Sequence, residues 1–189
     1  MGGFFGGLLF LLILVAAAAF FFIATYNRLV RLRVRTEDGW SSIDVQLKRR
    51  YDLIPNLVET VKGYAKHERE TLENVVKARQ AGIDAKGVKE QAQAENMITG
   101  ALRQLFALSE AYPDLKANQN FGQLQEELAT TENKIAFARQ HYNDTVSRYN
   151  STLQSFPTNV IGGMFGFESR DFFEIEVAEQ REAPQVSFE

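Results

Sequence analysis

Few residues in this 189-residue chain have the type and spacing that chemistry requires. His67-Glu68 opens like the helical zinc-protease motif, in which two histidines four positions apart hold the metal and the glutamate acts as base. The second histidine would fall on Thr71, so a ligand is missing. His141 stands alone, and the chain has no cysteine. The nitrogen and sulfur set of a structural zinc centre is therefore not available. Gly162-Gly163-Met164-Phe165-Gly166 has the glycines of a phosphate loop but not the following Lys-Ser/Thr pair. Glu68 with Glu70 and Glu126 with Glu127 are carboxylate pairs. Helical neighbours diverge by about 100° per residue, so these read as solvated faces. Serine chemistry needs a base and an orienter, and the sequence pairs none with a serine. The expectation is a non-enzyme with no catalytic residue, no metal and no cofactor.

Charge is the stronger signal. The side chains of Met1 to Asn27 carry none, and Leu8 to Ile23 is almost wholly Leu, Ile, Val, Phe and Ala. About 20 such residues cross a bilayer core as a helix, which satisfies its own backbone polar groups. Arg28, Arg31, Arg33 and Arg35 follow at once. Basic juxtamembrane residues stay on the cytoplasmic side, which puts the N-terminus outside and the chain from Arg28 onward in the cytoplasm. A cleaved signal is the competing reading, and Ala16 to Ala19 offers small residues for a peptidase. No basic region precedes the apolar run, however, as a signal would require. A buried core helix is a weaker rival, since such helices rarely run this long without a polar face. Arg28, Arg31 and Arg35 share a helical face by three-and-four spacing. That face suits anionic headgroups, although fixing orientation is the plainer role of the arginines.

The net charge of −3 makes no general case for nucleic acid. Its distribution is uneven. Arg28 to Tyr51 holds seven basic residues against three acids, and Glu168 to Glu189 holds seven acids against two arginines.

Helical periods fill the rest. Trp40, Ile43, Leu47, Tyr51 and Ile54 step by three and four, and Leu57, Val58, Val61, Ala65, Leu72, Val75 and Val76 continue the stripe with one polar gap. Pro55 lies between these runs and predicts a kink or break. Ala81-Gly82 and Asp84 through Gly87 read as a connection. Ala94, Ile98, Ala101, Leu105, Leu108 and Tyr112 form a third stripe, closed by Pro113, because the residue before proline leaves the helical region. Phe121, Leu124, Leu128, Ile135, Ala138, Tyr142, Tyr149 and Phe156 approach a coiled-coil seam. Phe173-Glu174-Ile175-Glu176-Val177 alternates as an extended strand would. Long helices with short connections predict an all-α, antiparallel up-and-down bundle. The domains are then an anchor over 1–27, a bundle over 28–157 and a Gly/aromatic segment with acidic tail over 158–189.

Several segments resemble the LemA family: Gln46 through Glu68, Ser109 through Asn118, Thr131 through Asn143, Tyr149-Asn150 and Phe156-Pro157. The anchor followed by Tyr26-Asn27 fits the same pattern. The resemblance covers Tyr26 to about Phe167 and leaves the acidic tail outside. It implies a bacterial membrane protein with an antiparallel helical bundle. It implies no activity, because the family has no established biochemical function. Members are associated with membrane organisation, including magnetosome membranes, and with neighbouring membrane proteases.

Two further groups of residues invite roles. Arg50, Glu59, Glu68, Arg79, Glu132 and Arg139 lie near apolar positions, and Glu132 and Arg139 are one heptad apart. Ion pairs among them would fix bundle register; a contact surface for a partner is the alternative. Gly2-x-x-x-Gly6, Gly3-x-x-x-Gly7 and Gly162-x-x-x-Gly166 have the small-xxx-small spacing that lets membrane helices approach closely. With Gly163, Phe165 and Phe167 they predict self-association or membrane contact. Docking of the basic neck on the acidic tail of a second copy would build rings or filaments. The expected function is a non-enzymatic, membrane-anchored, homo-oligomeric scaffold or adaptor whose partners are the lipid bilayer and other membrane proteins. A regulatory binding subunit of a membrane protease or envelope-stress system is the alternative.

Overall fold

A computed structural model describes residues 2–174, with side chains from Phe5 onward. The described residues form an all-α fold of six helices: α1 (Gly2–Lys62), α2 (Arg69–Asp84), α3 (Gly87–Ala111), α4 (Pro113–Lys116), α5 (Gln119–Gln154) and α6 (Thr158–Met164). Two compact units share them. One comprises the chain up to Ser41 with His141–Arg170, and the other comprises Ser42–Gln140 with the chain from Asp171.

In the first unit the opening turns of α1 have no partner among the described residues. Phe5, Leu8 to Val15, Phe20, Phe21 and Ile23 are all exposed. This stretch is long and apolar enough to cross a membrane. Burial begins only at Thr25 and Leu29, where the end of α5 and α6 come alongside. Gly39 lies against Tyr142, and a Cβ there would sit 3.3 Å from the Tyr142 Cα, so α1 and α5 approach closely at that level. Trp40 meets the Tyr142 ring edge-on at 5.5 Å. Leu29, Val146, Tyr149 and Ile161 complete this core. The chain after α6 is held by polar contacts. Tyr149 Oη donates to the Glu168 carbonyl at 2.9 Å. The Asn150 amide brackets the Arg170 backbone, donating to its carbonyl and accepting from its N–H, each at 2.9 Å.

In the second unit Ile43, Leu47, Ile54, Leu57 and Val61 of α1 face Leu72 and Val75 of α2, Ile98, Leu102 and Leu105 of α3, and Phe121, Leu128 and Ile135 of α5, all buried. All but Leu102 belong to the three-and-four stripes, each helix burying one apolar face, whereas Val76 of the α2 stripe is exposed. α2 and α3 form a hairpin across Ala85-Lys86. Gly82 lets it close, because a Cβ there would fall 2.6 Å from Tyr51 Oη and 3.0 Å from Ile98 Cδ1. α5 begins with a side-chain cap: Asn118 Oδ1 accepts from the Phe121 N–H at 3.0 Å, and its Nδ2 donates to Tyr64 Oη at 2.8 Å. Phe173 is fully buried in this unit, and Asp171 pairs with Lys89 at 3.1 Å.

Three local expectations change. α1 does not break at Pro55 but runs through it to Lys62, and the break falls at Gly63 to Glu68. The heptad run over α5 stops at Gln154, leaving Phe156 outside the helix and exposed. Phe173 and Glu174 are not in a strand, and the remainder of that alternating segment, like the acidic tail beyond it, lies outside the described residues.

Candidate functional site

The polar residues singled out along the stripes separate into a buried network and surface groups. Arg50, on α1, is 3% exposed. Its Nη1 donates to Glu95 Oε2 of α3 at 2.9 Å, and its Nη2 reaches Thr99 Oγ1 and Glu132 Oε2 of α5, each at 2.9 Å. One guanidinium thus ties three helices, which is what a planar fork of five donors permits. Tyr51 Oη donates to Glu95 Oε1. Gln91 Nε2 donates to Tyr51 Oη at 2.7 Å and to Glu95 Oε1 at 3.2 Å. Glu95 is fully buried. Burial raises its carboxyl above the ordinary glutamate range, offset in part by the Tyr51 hydrogen bond and the Arg50 charge. Burial and the adjacent Glu95 likewise raise the Tyr51 phenol above its ordinary value, which keeps it a donor.

Arg79 does a different job. An α-helical carbonyl accepts from the N–H four residues on, and Pro55 has none to offer Tyr51. Arg79 Nε donates to the Tyr51 carbonyl at 2.7 Å and supplies the missing donor from α2. Glu68 accepts from Tyr112 Oη at 3.1 Å. Glu59 is exposed and pairs only with its neighbour Lys62, at 3.3 Å. Arg139, half-buried on α5, lies outside the network. The central carboxylate, Glu95, was missed in the sequence, although it sits four residues after Gln91 and three before Ile98, on the buried face of α3.

The arginines that follow the apolar run also separate. Arg33 lies over the Phe167 ring, 5.3 Å from its centroid. Arg28, Arg31 and Arg35 line an open groove of about 490 Å³, facing Arg148, Ser147 and Ser151 of α5. Beside them the Gly/aromatic segment packs onto the last turns of the apolar run. Phe165 meets Phe22 at 5.7 Å and Tyr26 at 4.8 Å, and Phe167 meets Tyr26 at 5.7 Å. Gly162 lies against Leu153 of α5, whose Cδ1 would be 2.4 Å from a Cβ there. Gly163 is open, and Gly166 takes a φ of +67° that favours glycine. Gly6 and Gly7 are open on all sides, and Gly2 and Gly3 belong to the first turn of α1. Among the described residues no group of His, Cys, Asp or Glu gathers as metal ligands.

The family model described as the LemA family matches residues 39–188. The chain belongs to the LemA family. The match reaches through the acidic tail, which the residue-by-residue resemblance leaves outside. This LemA-family chain is 24% identical over 175 residues to magnetosome protein MamQ 2 of Paramagnetospirillum magneticum, an alignment covering 79% of the chain and 64% of the relative. It is 26% identical over 164 residues to Protein LemA of Metamycoplasma hominis, covering 85% and 71%. With MamQ of Magnetospirillum gryphiswaldense the identity is 23% over 174 residues, covering 78% and 64%. The chain thus spans 64% of the length of these MamQ relatives. None of the three names states a reaction.

Proposed function

We propose that this LemA-family chain is a membrane-anchored, non-enzymatic scaffold that self-associates on the cytoplasmic face of a bacterial membrane. One observation carries the reading: α1 is a single helix whose first turns stay exposed among the described residues while its later turns are core to both units. An apolar face that wide has no place in water and is matched to a hydrocarbon core. The arginines after it support the inward orientation. The open Gly6 and Gly7 offer the surface for helix–helix contact in the bilayer. The Gly/aromatic segment is a second membrane contact, with Val160, Met164 and Phe165 exposed beside the last turns of the apolar run. MamQ, by its name a magnetosome protein, is compatible with a role in organising membrane.

The test is the mass of the full chain in nanodiscs or mild detergent, after extraction of cell membranes with alkaline carbonate. The chain is expected to resist extraction and to give a discrete assembly larger than one copy, which Gly6→Leu with Gly7→Leu dissociates. Release by carbonate would overturn the anchor. A resistant but strictly monomeric chain would overturn self-association and turn the search to a hetero-complex, such as one with a membrane protease.

A further inference from the structure

We propose that Arg28, Arg31, Arg35 and Arg148, with Ser147 and Ser151, bind the phosphate of an anionic phospholipid headgroup where α1 leaves the bilayer. The inference rests on the reading of α1 as a membrane anchor and names the lipid class it takes. Four arginines line one groove. None of the four is paired with a carboxylate among the described residues, whereas Arg49, Arg50, Arg69 and Arg170 all are. Like charges gathered without a counter-ion repel one another, and a bound anion relieves that repulsion. Arginine suits a phosphate in particular, because its planar fork can donate two parallel hydrogen bonds to it. Ser147 and Ser151 add hydroxyl donors on the α5 wall.

Position decides the source of the phosphate. Arg28 is the first charged side chain after the apolar run. At 1.5 Å per residue, Arg28 to Arg35 extends about 10 Å along the α1 axis, outward from the hydrocarbon edge through the headgroup zone. The neighbouring Tyr26, packed against Phe165 and Phe167, is an amphipathic aromatic of the kind that sits at headgroup level. Topogenesis alone does not account for the site, since Arg148 lies more than a hundred residues further along the chain and takes no part in orienting α1.

The experiment is native mass spectrometry of the full chain ejected from nanodiscs of equimolar phosphatidylcholine and phosphatidylglycerol, with flotation on vesicles as a separate readout of anchoring. The wild type is expected to retain phosphatidylglycerol in excess of phosphatidylcholine. Arg148→Gln should lower that excess roughly five-fold, the ratio corresponding to about 1 kcal/mol per basic residue near an anionic surface. Arg148→Gln with Arg31→Gln should abolish it, while Arg69→Gln leaves it unchanged and all variants still float. Equal retention by wild type and the double variant, with flotation intact, would overturn the lipid site and spare the anchor. Loss of flotation in the wild type would overturn both. Inorganic phosphate bound in phosphatidylcholine nanodiscs, with no lipid preference in mixed ones, would reassign the groove to a soluble anion and overturn the proposal.

Discussion

At the scale of residues, the network around Glu95 sets the chemistry of the helical core. Its carboxyl is raised above the ordinary glutamate range chiefly by burial, so the folded chain holds that proton more tightly than the unfolded one. The stability this contributes is present in full below the unfolded glutamate pKa, about 4.3, and is lost as pH rises through the folded value. Glu95→Gln has no such titration. Urea unfolding across a pH series should therefore show the stability of the wild type, measured against Glu95→Gln, falling as pH rises from about 4 and then levelling. A difference that rises with pH would mean that the Arg50 charge outweighs burial. Glu95→Ala should cost about 3–5 kcal/mol, because it leaves a buried Arg50 short of a partner. Arg50 and Glu132 were legible as candidate ion-pair residues because they interrupt or flank apolar stripes. Glu95 was not, since a glutamate inside a stripe reads as a solvated turn until the charge it pairs with, forty-five residues away, is known.

At the scale of elements, the stripes placed the helices, and two departures have physical causes. Ala65 is fully buried within the turn that follows α1, so the hydrophobic period persists across Gly63 to Glu68 although the helix does not. Pro55 reads as a break only while the donor for Tyr51 is sought along the same helix. Arg79 provides it from α2. Arg79→Ala is expected to cost about 1–3 kcal/mol, the penalty of an unsatisfied buried carbonyl. In a Pro55→Ala background, where the residue 55 N–H returns, the cost should fall by about 1 kcal/mol. A double-mutant cycle by urea unfolding reads this coupling, and additive effects would mean that Arg79 acts elsewhere. Gly82→Ala forces a methyl into Tyr51 and Ile98 and should destabilise by about 1–3 kcal/mol, as overpacking does. Its unfolding midpoint should drop with no change in denaturant slope.

At the scale of the whole molecule, the composition of α1 changes along its length. Its first turns are apolar on every side and its later turns on one face only, and that contrast is what made the candidate membrane span visible in sequence. The place of the Gly/aromatic segment was not visible, because nothing in its own residues says which part of a distant helix it meets. Phe165 against Phe22 and Tyr26 settles that within the first unit and leads to a prediction about depth. If α1 spans the bilayer, α6 lies where hydrocarbon gives way to headgroups, with Val160 and Met164 turned outward. Gly39, level with Tyr142, is eleven residues beyond Arg28, about 16 Å further out along the helix axis. With the single tryptophan removed as Trp40→Phe, Met164→Trp should therefore emit at shorter wavelength in reconstituted vesicles and be quenched by brominated acyl chains. The exposed Asp144→Trp, two residues along α5 from that level and only about 3 Å nearer the groove, should do neither. Equal quenching of both would place the basic groove inside the hydrocarbon, where four unpaired arginines cannot stand, and quenching of neither would leave α6 in water and α1 as the sole membrane contact.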